Sequence, residues 1–170
     1  MKTLQKSVSQ KVKMQLVEVG GRMSQDIGMG RIVGQALVYL YLTDRDSSLD
    51  QMEEDLGLSK AAVSIAARQL ESFGLIKRVW KRGDRKNYYK TADNIALALQ
   101  QGMAVFLKQK MQSLNMEIDS AMTALSKEVT KDDTNRDVEF LYGRLKRASQ
   151  LRDKFQGIIE SPLVDFFIKS

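Results

Sequence analysis

The chain of 170 residues contains no cysteine and no histidine. Without cysteine there are no disulfides, no thiol nucleophile, no thiolate metal site and no thiol redox sensor. Without histidine there is no imidazole base, no imidazole ligand and no charge switch near neutrality. A single proline, Pro162, and an aromatic content of only 7% argue for long helices over a many-stranded sandwich. No stretch approaches the roughly 18 apolar residues of a membrane span. The opening "MKTLQKSVSQKVKMQL" is charged throughout and lacks the apolar segment of a signal peptide. The expectation is a cytoplasmic chain with no membrane partner. The carboxylates fall at helix starts and on surface faces without metal-ligand spacing. No catalytic residue, metal or cofactor is therefore expected.

What is present is a core and a concentrated positive charge. Apolar residues make up 43% of the chain, enough to fold, and the net charge is +6 with a pI near 9.5. Residues 57–90 hold nine Lys/Arg against two acids, Glu71 and Asp84, whereas the remainder has 18 basic and 19 acidic residues. One short segment thus carries the whole excess, the footprint of a polyanionic partner.

Leu4, Val8, Val12, Leu16 and Val19 recur every three or four residues, predicting a helix that ends at Gly20-Gly21. "MGRIVGQALVYLYLT" reads as a buried helix in which Gly34 and Ala36 permit close approach, and "DRDSS" as a loop. Ser48 with Gln51 matches a capping box, opening a short helix with Leu49, Met52 and Leu56 turned inward. Gly57 stops it and Leu58 plugs the core. Ser59 caps the next helix. Ala62, Val63, Ala66, Leu70 and Phe73 share one face of it, opposite Ala61, Ser64, Ile65, Arg68 and Ser72. "LIKRVWK" and "KNYYK", joined by "RGDR", predict a β-hairpin whose tip needs a positive φ. Trp80 and one of the two tyrosines are expected in the core, and RGD is expected to be only a turn. Two long helices follow, broken at "TKDDTN". The first, of about 35 residues, would span roughly 50 Å. "SPLVDFFIKS" ends the chain.

Two helices joined by a tight turn form a helix-turn-helix, and a hairpin after the second helix is a wing. The fold expected is mainly α with a small β-hairpin wing: a winged helix-turn-helix plus long terminal dimerisation helices. The second helix would enter the major groove of double-stranded DNA. Ser59, Lys60, Ala61, Ser64, Ile65 and Arg68 would face it, with Lys60 and Arg68 donating to guanine and Ala61 and Ile65 touching thymine methyls. Lys81, Arg82, Arg85 and Lys86 of the wing would hold phosphates without reading sequence. The acids of the preceding helix are expected to lie away from this patch.

The run "SLDQMEEDLGLSKAAVSIAARQLESFGLIKRVWKRGDRKNYYKTADN" strongly resembles the winged helix of GbsR/MarR-type transcriptional regulators. The close match covers about residues 28–94; the flanking helices match in pattern only. The resemblance implies a homodimer joined through terminal helices on a palindromic operator, acting as a repressor. It also implies a small-molecule effector of the choline or glycine betaine kind. An aromatic cage for such a cation could draw on Tyr39, Tyr41, Phe106, Phe140, Tyr142 or Phe155. These sit at core spacings, where packing is the plainer role, and no effector residue is assigned. The domains expected are 1–27 (dimerisation helix), 28–92 (winged helix) and 93–170 (dimerisation helices). The competing expectation is a winged-helix adaptor that docks protein without sequence-specific DNA binding.

Overall fold

The computed structural model describes residues 2–129 and 136–159. Helices α1 (Lys2–Asp26), α2 (Arg31–Tyr41), α3 (Leu49–Leu56) and α4 (Lys60–Ser72) precede the hairpin. A two-residue strand β1 (Ser47–Ser48) lies between α2 and α3. Strands β2 (Ile76–Val79) and β3 (Tyr88–Thr91) lead to α5 (Ile95–Val129) and α6 (Arg136–Ile159). The expected break at 130–135 and the tail 161–170 lie outside the described residues. Two compact units, Met1–Met103 and Ala104–Ser170, divide within α5.

α1 does not stop at Gly20-Gly21 but runs on to Asp26. The glycines serve packing instead. A Cβ on Gly34 of α2 would overlap the Gly20 carbonyl oxygen and Ser24, and one on Gly20 would overlap Val38. Only bare backbone lets the two helices cross so closely, and that contact offsets the helix-propensity cost of two glycines. Glu18 of α1 accepts from Arg31 and Gln35 of α2, and Lys13 Nζ donates to Thr43 Oγ1 at 2.6 Å, tying the ends of the crossing together. The apolar stripe of α1 faces away from this contact. Val17 is fully buried, while Val8, Val12, Leu16, Val19 and Met23 are exposed.

The capping box at Ser48 forms in both directions, at 3.2 Å to Gln51 N and 2.9 Å from Ser48 N to Gln51 Oε1. Gly57 ends α3 at φ 64°, a left-handed position that favours glycine. Met52 is buried and Leu49, Leu56 and Leu58 are half-buried. On α4, Val63, Ala66, Ala67 and Leu70 face the core, joined by Phe73 at its cap.

The expected loop at 44–48 contains a strand. β1 pairs antiparallel with β3, giving a three-stranded sheet in the order β1-β3-β2. Within the hairpin, Ile76 faces Thr91 and Arg78 faces Tyr89. Ile76 and Tyr89 supply its buried side chains, each 2% exposed. Trp80 is not in the core as expected: it is 73% exposed. Strand pairing stops at Val79, so sheet alternation no longer directs the next side chain inward.

In the second unit, α5 and α6 are joined by Arg152 to Asp119 at 2.6 Å and by Asn115 to Gln156 at 3.2 Å. On α6, Val138, Tyr142 and Leu145 are half-buried, whereas Leu141, Leu151 and Phe155 are exposed. No described helix is long and apolar enough to cross a membrane.

Candidate nucleic-acid interface

α4 begins where Gly57 and Leu58 close the turn after α3. Ser59, extended at φ −72°, accepts from Ala62 N at 3.3 Å. From there 100° steps set the outer face. Ala61, Ile65 and Arg68 are exposed and Ser64 is half-exposed; Ile65 alone leaves 57% of its surface in water. Arg68 Nη1 donates to Ser64 Oγ at 3.1 Å, so a hydroxyl one turn back steadies the guanidinium. All six residues expected on this helix therefore lie along its outer side or its first turn.

The wing loop is organised by its one acid. Gly83 takes φ 84°, and Asp84 N donates to Lys81 O at 3.1 Å. The Asp84 carboxylate accepts from Lys86 N at 2.9 Å and from Tyr88 OH at 2.7 Å. These bonds hold its pKa below the usual carboxylate range, with the Lys86 amide the largest cause and Tyr88 next. Asp84 thus faces its own loop. Among the described residues, Arg82 and Arg85 on either side of Gly83-Asp84 are exposed and make no ion pair.

The lysines behave otherwise. The acids of α3 were expected to lie away from the basic patch, but the structure places Asp50 and Glu53 beside it, and Asp46 before α3 joins them. Asp50 Oδ1 is 2.5 Å from Lys60 Nζ on α4, and Asp50 Oδ2 is 2.9 Å from Lys86 Nζ on the wing. Asp46 is 3.7 Å from Lys81 Nζ, which also lies 4.0 Å from the Tyr88 ring centroid. Glu53 accepts the Lys60 backbone N–H at 3.2 Å. The cause is β1: pairing Ser47 and Ser48 with Tyr89 and Tyr88 draws the start of α3 against the hairpin. The Lys60 and Lys86 hydrogen bonds hold Asp50 at a pKa of about 2. Sequence reading missed this because Asp50 and Lys86 lie far apart in the chain and no local period links them. One carboxylate touching both elements also shows that the first turn of α4 and the wing loop stand side by side.

The aromatic side chains considered for a cage differ in setting. Tyr39 and Phe106 are buried, whereas Tyr41, Phe140 and Phe155 are exposed. Tyr39 OH donates to Asp55 Oδ2 at 2.6 Å, a structural bond between α2 and α3. Among the described residues no group of three or more acids is placed to hold a metal ion.

The short helices α3 and α4, the tight Gly57 turn and the three-stranded sheet with its basic loop define a winged helix-turn-helix. A solved transcriptional regulator shares this fold, with a TM-score of 0.67 over 93% of this chain and 99% of that one at 23% identity. The HTH-type transcriptional repressor GbsR of Bacillus subtilis is 25% identical over 138 residues, 79% of this chain and 76% of that protein. The HTH-type transcriptional regulator MmpR5 of Mycobacterium tuberculosis is 30% identical over 82 residues, 48% of this chain and 50% of that protein. No protein-family model matches. The comparisons support a GbsR-like winged-helix transcriptional regulator, a non-enzymatic class, in agreement with the resemblance.

Proposed function

We propose that the chain is a homodimeric, sequence-specific DNA-binding repressor that lays α4 in the major groove and its wing on the flanking backbone. The observation that carries this reading is the adjoining of two surfaces. One is a helix face of small and donor side chains, Ala61, Ser64, Ile65 and Arg68. The other is a loop with two arginines, Arg82 and Arg85, that make no ion pair among the described residues. Arg68 would read a base edge, Lys60 would do so once freed from Asp50, and Ala61 and Ile65 would fit thymine methyls. Ser59 would meet a phosphate, and Lys81, Arg82, Arg85 and Lys86 would supply sequence-independent contacts.

The domain reading is residues 1–27 and 93–170 for dimerisation and 28–92 for DNA. Exposed apolar side chains on α1, and separately on α6, support a second copy as their cover. The operator would then be palindromic and the protein cytoplasmic, on the nucleoid when bound. The genes we infer are those of choline or glycine betaine handling, with such a compound as effector; the resemblance alone supports that step.

The experiment is recovery of genomic DNA fragments by the purified protein at about 150 mM salt, where nonspecific phosphate binding is weakened. A few fragments sharing an inverted repeat are expected. Uniform recovery or none would leave the basic face as a nonspecific or protein-docking surface.

A further inference from the structure

Lys60 and Lys86 come from different elements, yet both ammonium groups rest on one carboxylate, at 2.5 and 2.9 Å. Asp50 stands in the first turn of α3, where the helix dipole also favours an anion. Its two oxygens are divided between the first turn of the reading helix and the wing, a place that a backbone phosphate between those elements would take. All three partners keep about half of their side-chain surface in water, so the contact can open without unfolding anything. The nearby Asp46–Lys81 pair, at 3.7 Å, repeats the pattern more loosely. Among the described residues the wing arginines Arg82 and Arg85 have no such partner. The positive face is therefore of two kinds, free arginines at the tip and lysines already holding an internal anion.

We propose that Asp50 is a built-in competitor of DNA phosphate, occupying Lys60 and Lys86 until a fully engaged duplex displaces it, and so suppressing nonspecific binding. The inference rests on the DNA-binding reading. On nonspecific DNA, where the reading helix gains no base contacts, opening the two pairs returns little and the lysines stay with Asp50. On the operator, base contacts of α4 bring phosphates into register and the exchange becomes favourable. Asp50 touches no DNA in this scheme. It acts by deciding when two cations are available, as a positioning and specificity residue.

The salt dependence of binding separates this role from a structural one. Each phosphate neutralised by a free cation contributes about −0.9 to the slope of log K against log salt. When a lysine must leave Asp50, the freed carboxylate recovers a counterion and that contribution is partly cancelled. A fluorescent duplex of scrambled sequence, titrated with the full-length protein between about 50 and 200 mM salt, is the probe. Asp50→Asn should bind it roughly two- to thirty-fold more tightly at low salt, the range expected from releasing two exposed ion pairs. Its slope should steepen by as much as about 1.8. Asp50→Glu, which keeps the charge, should stay near the wild-type slope. Lys86→Gln should remove well under ~0.9 of slope from the wild-type protein but about that much from Asp50→Asn. The wild-type-background comparison needs no folded Asp50→Asn.

A wild-type slope and affinity in Asp50→Asn, weaker binding by that variant, or a full ~0.9 loss for Lys86→Gln alone would overturn the proposal. A wild-type protein that binds the duplex with no salt dependence would instead overturn the DNA-binding reading beneath it.

Discussion

Arg68 shows how a single side chain can be prepared for reading. Ser64 lies one turn earlier and accepts from its guanidinium, limiting the rotamers available to an otherwise exposed arginine. Under the proposed function, Arg68→Ala should cost about 1–3 kcal/mol on the preferred operator and relax one base position. Competition binding against single-base operator variants checks this; an equal loss on scrambled DNA would reduce Arg68 to a phosphate contact. Tyr39 has the opposite setting. Burial, and then its hydrogen bond to Asp55, push its hydroxyl up to about 12. A raised folded-state pKa stabilises the fold fully below the unfolded value, near 10, and that stability is lost as pH rises through about 12. Urea midpoints measured across that window should fall more steeply for the wild type than for Tyr39→Phe. Parallel curves would mean that Tyr39 ionises without opening the α2–α3 contact.

Elements meet here through backbone as well as through side chains. The α1–α2 crossing depends on Gly20 and Gly34, since a Cβ at either would strike the facing helix. Gly34→Ala should therefore destabilise the first unit by about 1–3 kcal/mol, the usual cost of overpacking, although alanine is the better helix former. A reduced urea midpoint with an unchanged slope checks it, and an unchanged midpoint would mean that the helices slide apart freely. The hairpin poses an electrostatic problem at the same scale. Lys77 and Lys90 face one another across β2 and β3, an unfavourable like-charge pair. Asp93 resolves it by accepting from both ammonium groups at 2.9 Å, and those bonds hold its pKa to about 2. This pairing and that of Asp50 are present above the ordinary carboxylate pKa and are lost as pH falls through about 2.

For the whole molecule, the question is what covers the apolar residues that the folded chain leaves open. α1 exposes Val8, Val12, Leu16, Val19 and Met23, and α6 exposes Leu141, Leu151 and Phe155. Homodimerisation is the proposed answer. Sedimentation equilibrium should then give about twice the chain mass of 19.3 kDa. Leu16→Glu, at a side chain already 46% exposed, should leave the monomer's folding intact. If α1 is part of the interface, the substitution should weaken association roughly tenfold or more. An unchanged dimer would remove the α1 stripe from the interface.

Much of the fold was readable locally. The capping box at Ser48, the Gly57 stop, the Ser59 cap and the two faces of α4 follow from short-range periodicity and from φ preferences confined to a few residues. The positive φ at Gly83 and the outer positions Ala61, Ile65 and Arg68 came from the same signals. Four features were not readable, because each is decided by a partner distant in sequence. Gly20-Gly21 looks like a stop until Gly34 is laid against it. Ser47 and Ser48 look like loop until β3 supplies a strand to pair with. Trp80 looks like core until the ladder is seen to end at Val79. Lys60, Lys81 and Lys86 look like free cations until β1 brings Asp46 and Asp50 beside them. The sequence by itself determined most of the elements, the caps of α3 and α4 and the placement of the positive charge, since these depend on neighbours within a turn or two. Only the tertiary structure decided which of those charges stand free, because an ion pair across the fold is set by distance in space, for which local sequence carries no period.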